Sequence, residues 1–171
     1  MVSKKLSKVL LVIYSLILIW ILLFKLRLSF SSIAASLEHP MRSLNLVPFQ
    51  GSTIVNGEVA INEIISNALI FAPLGVILGI SEKNSSLIKK LAFILLLSLF
   101  IEGMQFVLGI GATDVTDIIM NFSGGFIGLM IYQGLKLVVP EAKLDKWLVR
   151  IGTAFGILCF GLVMFMLFVN R

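Results

Sequence analysis

Long apolar segments that contain very few charges constrain the fold of this 171-residue chain more than any other feature. Apolar residues make up 58% of the sequence and charged residues 13%, whereas ordinary soluble domains average about 45–50% and about 25%. A helix needs roughly 20 consecutive apolar residues to cross the ~30 Å hydrocarbon core of a bilayer. The sequence therefore predicts an all-α, polytopic transmembrane helical bundle.

Five segments approach this length, and we expect them to form a single integral membrane domain over residues 1–171. The predicted spans are residues 9–28, 61–80, 91–108, 118–139 and 151–169. A cleaved signal peptide is the alternative for the first span, because a lysine-rich segment precedes it. We favour an uncleaved helix, since the apolar run is long and basic residues separate it from the cleavage-like pattern at residues 32–34.

The distribution of basic residues predicts the orientation of the spans, because cytoplasmic loops of membrane proteins are enriched in lysine and arginine. With the N-terminus inside, the cytoplasmic segments carry ten basic residues: Lys4, Lys5, Lys8, Lys83, Lys89, Lys90, Lys136, Lys143, Lys146 and Arg150. The outer segments carry four: Lys25, Arg27, Arg42 and Arg171. We therefore expect a cytoplasmic N-terminus and an extracytoplasmic C-terminus. The net charge of +5 is explained by topology and requires no nucleic-acid partner.

Polar residues interrupt the apolar segments at positions where placing a polar group in the membrane costs free energy. A carboxylate near the centre of a membrane helix costs roughly 2.5–3.5 kcal/mol on insertion scales, so such groups usually face a polar cavity or each other. Glu102 lies about 16 Å along the third predicted span, just past the midplane in the outer half. Gln105 lies one turn further out on the same face.

The second and fourth spans carry polar groups at a similar depth, which predicts one site that opens toward the outer leaflet. Its predicted members are Asn67, Glu102, Gln105, Asp114, Asp117 and Asn121. Two alternatives apply to individual residues. Asp117 is equally suited to cap the fourth helix, and the amides are equally suited to form hydrogen bonds between helices.

Small residues and one proline predict close contacts between the helices. Gly75 in the second span and the pair Gly124 and Gly128 in the fourth lie in four-residue repeats of glycine, which let helix backbones approach. Pro73 lies within the second span and removes one backbone donor. We expect it to bend the helix and to free the carbonyl group of Leu69.

The residue types favour a binding site over a catalytic one. Ser123 lacks a nearby base, because the single histidine, His39, lies in the first outer loop, and a serine without a base is a poor nucleophile. Glu102, Asp114 and Asp117 could supply oxygen ligands to a divalent cation, but no spacing demands one, and no metal or cofactor is predicted.

Four elements of the sequence, in order, resemble those of the VanZ-like family of bacterial membrane proteins over about residues 40–135. They are residues 45–49 (Asn-Leu-Val-Pro-Phe), residues 67–75 (Asn-Ala-Leu-Ile-Phe-Ala-Pro-Leu-Gly), the pair Glu102 and Gln105, and residues 114–128, with two aspartates, Asn121 and three glycines. Asn45, Pro48 and Phe49 of the first element lie in the first loop, which the distribution of basic residues places outside, and we expect them to cover the mouth of the site.

The resemblance implies a multi-pass protein of the bacterial cytoplasmic membrane that acts in the cell envelope and contributes to resistance to the glycopeptide teicoplanin. We expect it to bind a lipid-linked envelope precursor or a lipoglycopeptide, in addition to contacting the lipid bilayer. A membrane-embedded hydrolase or transferase acting on a lipid-linked substrate is one alternative, and a small transporter or channel is another. The oligomeric state is not predicted.

Overall fold

Five helices dominate the computed structural model, which describes residues 4–24, 41–49, 54–55, 58–59 and 61–169. The helices are α1 (Lys4–Phe24), α2 (Ile61–Ser81), α3 (Leu87–Leu108), α4 (Val115–Val138) and α5 (Glu141–Val169). The strands are β1 (Met41–Asn45), β2 (Ile54–Val55), β3 (Glu58–Val59) and β4 (Ile110–Asp114). The prediction of an all-α bundle is confirmed for the described residues, although it omitted these short strands. Residues 25–28 of the first predicted span and the cleavage-like pattern at 32–34 lie outside the described residues.

Four helices among the described residues are long and apolar enough to cross a membrane, which supports a membrane protein but does not confirm the predicted number of five spans. The candidate spans among the described residues are Lys5–Leu23, Ile64–Ser81, Leu87–Leu108 and Val115–Val138. The segment predicted as a fifth span, residues 151–169, forms the second part of α5.

Local capping explains why α3 is longer than its predicted span. The Ser86 side chain accepts a hydrogen bond from the backbone N–H of Lys89, so the helix begins at Leu87 rather than at residue 91. It ends at Gly109, whose φ of 65° suits the left-handed conformation that commonly terminates helices. Glu102 lies about 9 Å from the C-terminal end of α3, at the distance that the sequence predicted, because the helix and the predicted span both end at Leu108.

The start of α4 corrects one alternative for Asp117. Asp114 is the residue that caps this helix, because its carboxylate accepts a hydrogen bond from the backbone N–H of Thr116 at 2.7 Å. The helix therefore begins at Val115, three residues before the predicted boundary. Asp117 lies within the first turn, where its negative charge suits the positive end of the helix dipole.

Two pairs of short strands lie between the helices. β1 pairs in parallel with β4, with Asn45 opposite Asp114, whereas β2 and β3 form an antiparallel pair. The β1–β4 pair joins the chain segment that precedes α2 to the connection between α3 and α4. Alternating hydrophobicity is weak in both segments, so the sequence did not reveal this pairing.

The backbones of α2 and α4 lie in direct contact along the centre of the bundle. A Cβ atom on Gly124 would collide with the carbonyl oxygen of Ala68, and one on Gly128 would collide with that of Ala72. A Cβ atom on Gly75 would meet the carbonyl oxygen of Gly125. The predicted close contact at Gly75, Gly124 and Gly128 is therefore observed, and it joins two parallel helices. Pro73 lies within α2 but does not end it.

The other helices pack around this central pair. Phe71, Leu74, Ile94 and Leu129 are buried in one apolar cluster that joins α2, α3 and α4. Near Pro73, the Tyr14 hydroxyl of α1 donates a hydrogen bond to the carbonyl oxygen of Ile70 at 2.7 Å. Exposed side chains on the outer faces of the helices are mainly large and apolar, as expected for contact with lipid.

A network of charges lies where α2 and α4 end and α5 begins. Lys83 contacts both Glu141 and Asp145, Lys136 contacts Glu141 at 3.1 Å, and the Tyr132 hydroxyl donates a hydrogen bond to Asp145 at 2.9 Å. Burial lowers the pKa of Lys83, but its hydrogen bonds to the two carboxylates outweigh that effect and raise it above 10.5. The same contacts lower the pKa of Glu141 below 4.5. This network fastens α5 to the rest of the bundle.

Replacing Gly128 with alanine should destabilise the protein by about 1–3 kcal/mol, because the added methyl group must separate two helix backbones. Gly134 is the matched control on the same helix, since a Cβ atom there meets no described atom within 4 Å. Gly134→Ala should change stability by less than about 1 kcal/mol, in the stabilising direction. Unfolding of both variants in detergent measures the difference, and equal stabilities would contradict the proposed backbone contact.

Candidate polar site

The inward face of α3 carries three polar side chains that are spaced about one turn apart. Ser98, Glu102 and Gln105 have relative exposures of 0%, 3% and 3%. Each forms a hydrogen bond to a different element: Ser98 to α4, Glu102 to the β4–α4 junction, and Gln105 to α1. The two residues predicted on α3 thus belong to a polar row that joins three neighbouring elements.

Glu102 organises the end of β4. Its Oε2 atom accepts a hydrogen bond from the backbone N–H of Asp114 at 3.2 Å. The Thr113 hydroxyl donates a second hydrogen bond to the Glu102 carbonyl oxygen, also at 3.2 Å. The predicted residues Glu102 and Asp114 are therefore in direct contact, although through a backbone group rather than between the two carboxylates.

Asp114 joins the end of β1 to the start of α4. One of its carboxylate oxygens accepts from the backbone N–H of Thr116, and the other accepts from the Asn45 side-chain amide at 3.0 Å. The Asn45 oxygen in turn accepts from the backbone N–H of Val47 at 3.2 Å, which turns the chain after β1. Both oxygens of a buried carboxylate are thus occupied by uncharged donors.

The loop that follows β1 lies against the N-terminus of α4. The backbone N–H of Phe49 donates a hydrogen bond to the Thr116 hydroxyl at 3.0 Å, while Pro48 is exposed. Phe49 has a φ of 61°, which is uncommon for a bulky residue and costs on the order of 1–2 kcal/mol. The contact with the fully buried Thr116 offsets part of this strain, so the loop is held near the site.

A side-chain pair links α2 to α4 at the same end of the bundle. The Asn67 amide donates a hydrogen bond to the Asp117 carboxylate at 2.6 Å, and Asn67 is 7% exposed. A hydrogen bond to a charged acceptor is stronger than one between neutral groups. The predicted proximity of Asn67 and Asp117 is therefore observed.

Two predicted residues have an oxygen atom that lacks a described partner. The Asn121 amide donates to the Ser98 hydroxyl at 3.0 Å, but its Oδ1 atom accepts no hydrogen bond from the described residues. The Gln105 amide donates to the carbonyl oxygen of Leu22 at 2.9 Å, and its Oε1 atom is likewise unsatisfied. Both side chains are almost completely buried.

Sequence reasoning missed three residues that complete the site, namely Ser98, Thr113 and Thr116. Serine and threonine are common in membrane helices and carry little information by themselves. Ser98 lies four residues before Glu102, and this spacing places both residues on one helix face. That spacing was the available signal for Ser98. The two threonines depend on the β1–β4 pairing and had no comparable signal.

The described residues contain no group of three or more histidine, cysteine or acidic side chains arranged to hold a metal ion. The three candidate carboxylates instead contact different groups. Glu102 accepts from a backbone N–H, Asp114 from a backbone N–H and Asn45, and Asp117 from Asn67.

Comparisons with known proteins agree with the resemblance noted in the sequence. Residues 11–139 match the family model of VanZ/LLP1. The chain is 39% identical to Protein VanZ of Enterococcus faecium over 150 residues, which cover 88% of each chain. No solved structure gives a significant match. These matches include every residue of the polar site on α2, α3 and α4.

A double-mutant cycle tests the link between α2 and α4. Asn67→Ala and Asp117→Ala should each lower the free energy of unfolding. The double variant should lose less stability than the sum of the two single losses, and the difference is a coupling energy of about 0.5–3 kcal/mol. The control cycle combines Asn67→Ala with Asn84→Ala, because Asn84 is exposed in the turn after α2. The effects of Asn67→Ala and Asn84→Ala on the free energy of unfolding should add to within about 0.5 kcal/mol. Equal coupling in the two cycles would contradict the observed pair.

Proposed function

This chain belongs to the VanZ/LLP1 family, and from that premise we propose that it acts at the bacterial cell envelope by binding an amphiphilic ligand at its polar site. The ligand class is a lipid-linked envelope component or a lipoglycopeptide such as teicoplanin. In this proposal, binding contributes to resistance against teicoplanin. The observation that carries the proposal is the convergence of buried polar side chains from α2, α3 and α4 at one end of an otherwise apolar bundle.

The arrangement of charges supports an outward-facing site. Lys8 contacts Glu82 at 3.1 Å, and Lys83 and Lys136 contact Glu141, so these basic residues gather at one end of the helices. The polar site lies at the opposite end, where α2 and α4 begin and α3 ends. If the lysine-rich end faces the cytoplasm, as basic residues usually do, the site faces the outer leaflet and the N-terminus lies inside.

The surroundings of the site suit a ligand that has both polar and apolar parts. Leu44 near the end of β1 and Leu46, Val47 and Phe49 in the loop after it are each exposed by at least half of their surface. These apolar side chains lie beside Asn45, whose amide contacts the buried Asp114. A lipid tail would contact the loop while its polar head enters the site.

The hydrogen bonds of the site support binding more than catalysis. The Ser98 hydroxyl accepts from the Asn121 amide, and the Thr116 hydroxyl accepts from a backbone N–H. Neither contact activates a nucleophile, because activation requires an adjacent base that removes the proton. The roles of Glu102 and Asp114 in the proposal are accordingly to provide charge and to shape the mouth of the site.

Thiol labelling tests the proposed orientation in the full chain with Cys159 replaced by serine. A membrane-impermeant thiol reagent should label Val47→Cys in intact cells, because this position is 50% exposed beside the site. It should label Asn84→Cys only after the cells are permeabilised, because that exposed turn lies at the lysine-rich end. The opposite pattern would overturn the orientation.

Teicoplanin susceptibility tests the function in a strain that lacks this protein. Complementation with the wild type should raise the inhibitory concentration, and Glu102→Gln should lose most of that protection, because the carboxylate is buried within the site. Glu82→Gln is the matched control, since Glu82 lies in the turn at the opposite end and contacts Lys8. It should protect like the wild type.

Membrane abundance of each variant is measured alongside growth, so that a folding defect is separated from a loss of function. Equal protection by Glu102→Gln and the wild type, at equal abundance, would remove Glu102 from the proposed site. A wild-type protein that fails to protect against teicoplanin would remove the resistance role itself.

A further inference from the structure

Lys90 places a buried positive charge at the start of α3. It lies in the first turn of the helix and is 5% exposed, and this turn contains no acidic residue. Among the described residues, its ammonium group has neither a hydrogen bond nor an ion pair. Burying a charge without a partner costs free energy, and the positive end of the helix dipole adds to the cost for a cation. An anion from outside the chain would remove this cost.

The acidic residues at this end of the bundle already have partners of their own. The ion pairs are Lys8 with Glu82, Lys83 with both Glu141 and Asp145, and Lys136 with Glu141. With Lys90 included, four lysines share three carboxylates in this part of the described structure. One positive charge is therefore in excess, and Lys90 is the lysine that has no pair.

The register of α3 against α4 brings a second lysine toward Lys90. Ile94 packs against Gly125, where an added Cβ atom would lie 2.7 Å from the Ile94 side chain. Lys90 lies one turn from Ile94 toward the lysine-rich end, and Lys136 lies three turns beyond Gly125 on the same face of α4. Helical side chains tilt toward the N-terminus of their helix. Because α3 and α4 are antiparallel, Lys90 extends toward the lysine-rich end, whereas Lys136 extends back toward Lys90.

Two observations agree with this convergence. The Lys136 ammonium group lies 5.7 Å from the centre of the Tyr132 ring, one turn back along α4. Its charge also repels that of Lys90, and this repulsion outweighs the attraction from Glu82. The two ammonium groups are thus close enough to act on each other, and an anion with more than one oxygen atom would relieve their repulsion.

We propose that Lys90 and Lys136 bind the phosphate group of an anionic lipid in the leaflet that the lysine-rich end faces. A phosphodiester carries one negative charge and accepts charge-assisted hydrogen bonds from both ammonium groups, and basic pockets between membrane helices suit such headgroups. Ile88, Leu137 and Val138 are each at least 78% exposed at this end of α3 and α4, where they would contact the acyl chains. These apolar side chains favour a lipid over a soluble phosphate. The site lies at the opposite end from the polar site and does not depend on the proposed function.

Lipid titration of the purified full chain in detergent tests the proposal. The probes are phosphatidylglycerol and phosphatidylcholine with identical acyl chains, and glycerophosphoglycerol, which is the first headgroup without its tails. Phosphatidylglycerol should raise Tm by about 2–4 °C, a shift typical of a modest gain in stability for a chain of this length. Phosphatidylcholine should give a clearly smaller shift, because its choline group compensates the phosphate charge.

Three results would overturn the proposal. No shift with phosphatidylglycerol would show that the lipid does not bind, and equal shifts for the two lipids would show that the negative charge is not recognised. An equal shift with glycerophosphoglycerol would assign the site to a soluble phosphate compound instead of a lipid.

Charge-removing variants identify the lysines. Lys90→Met keeps the apolar stem and should abolish the preference for phosphatidylglycerol, while its Tm without lipid should equal or exceed that of the wild type, since an unpaired buried charge is removed. Lys89→Met is the matched control, because Lys89 is the adjacent, exposed lysine, and it should respond like the wild type. Lys136→Met should weaken the response, and it replaces Lys90→Met if that variant does not fold. A full response in Lys90→Met, or the same loss in Lys89→Met, would overturn the assignment.

Discussion

The direct contact between the backbones of α2 and α4 is the constraint on which the rest of the structure depends. Moving an apolar side chain from lipid into the interior of a bundle yields no hydrophobic free energy. Membrane helices therefore associate through close packing and hydrogen bonds. Gly124 and Gly128 provide that closeness against Ala68 and Ala72. Because the helices are parallel and share one register, their polar residues Asn67 and Asp117 reach the same end of the bundle.

The third helix supplies the polar groups that this arrangement encloses. Ser98, Glu102 and Gln105 lie on its inward face, and each contacts a different element. A buried carboxylate in an apolar bundle is tolerated when hydrogen-bond donors surround it. The parallel pairing of β1 with β4 brings two such donors to the site, the backbone N–H of Asp114 and the Asn45 amide. Short strands thus complete a site that helices alone would leave open.

The two ends of the bundle differ in the balance between charge and hydrogen bonding. At the lysine-rich end, Lys83 and Lys136 pair with Glu141, and the charges compensate each other. At the other end, carboxylate and amide side chains are buried, and the oxygens of two amides accept no hydrogen bond from the described residues. The first arrangement fastens helices together, whereas the second is where we propose that the amphiphilic ligand binds. This contrast is the physical basis for that proposal.

The sequence by itself determined the membrane class, the approximate position of the helices and the family, and it predicted six residues of the polar site but not Ser98, Thr113 or Thr116. These depend on apolar run length, glycine spacing and the high cost of a carboxylate in hydrocarbon, all of which are local properties. Only the tertiary structure decided the contacts of those residues. It showed that Asp114 rather than Asp117 caps α4, that Asn45 reaches Asp114 through a strand pairing, and that Ser98 holds Asn121. Such contacts join residues that are distant in the chain, and their partners depend on helix register and strand pairing, which local sequence patterns do not specify.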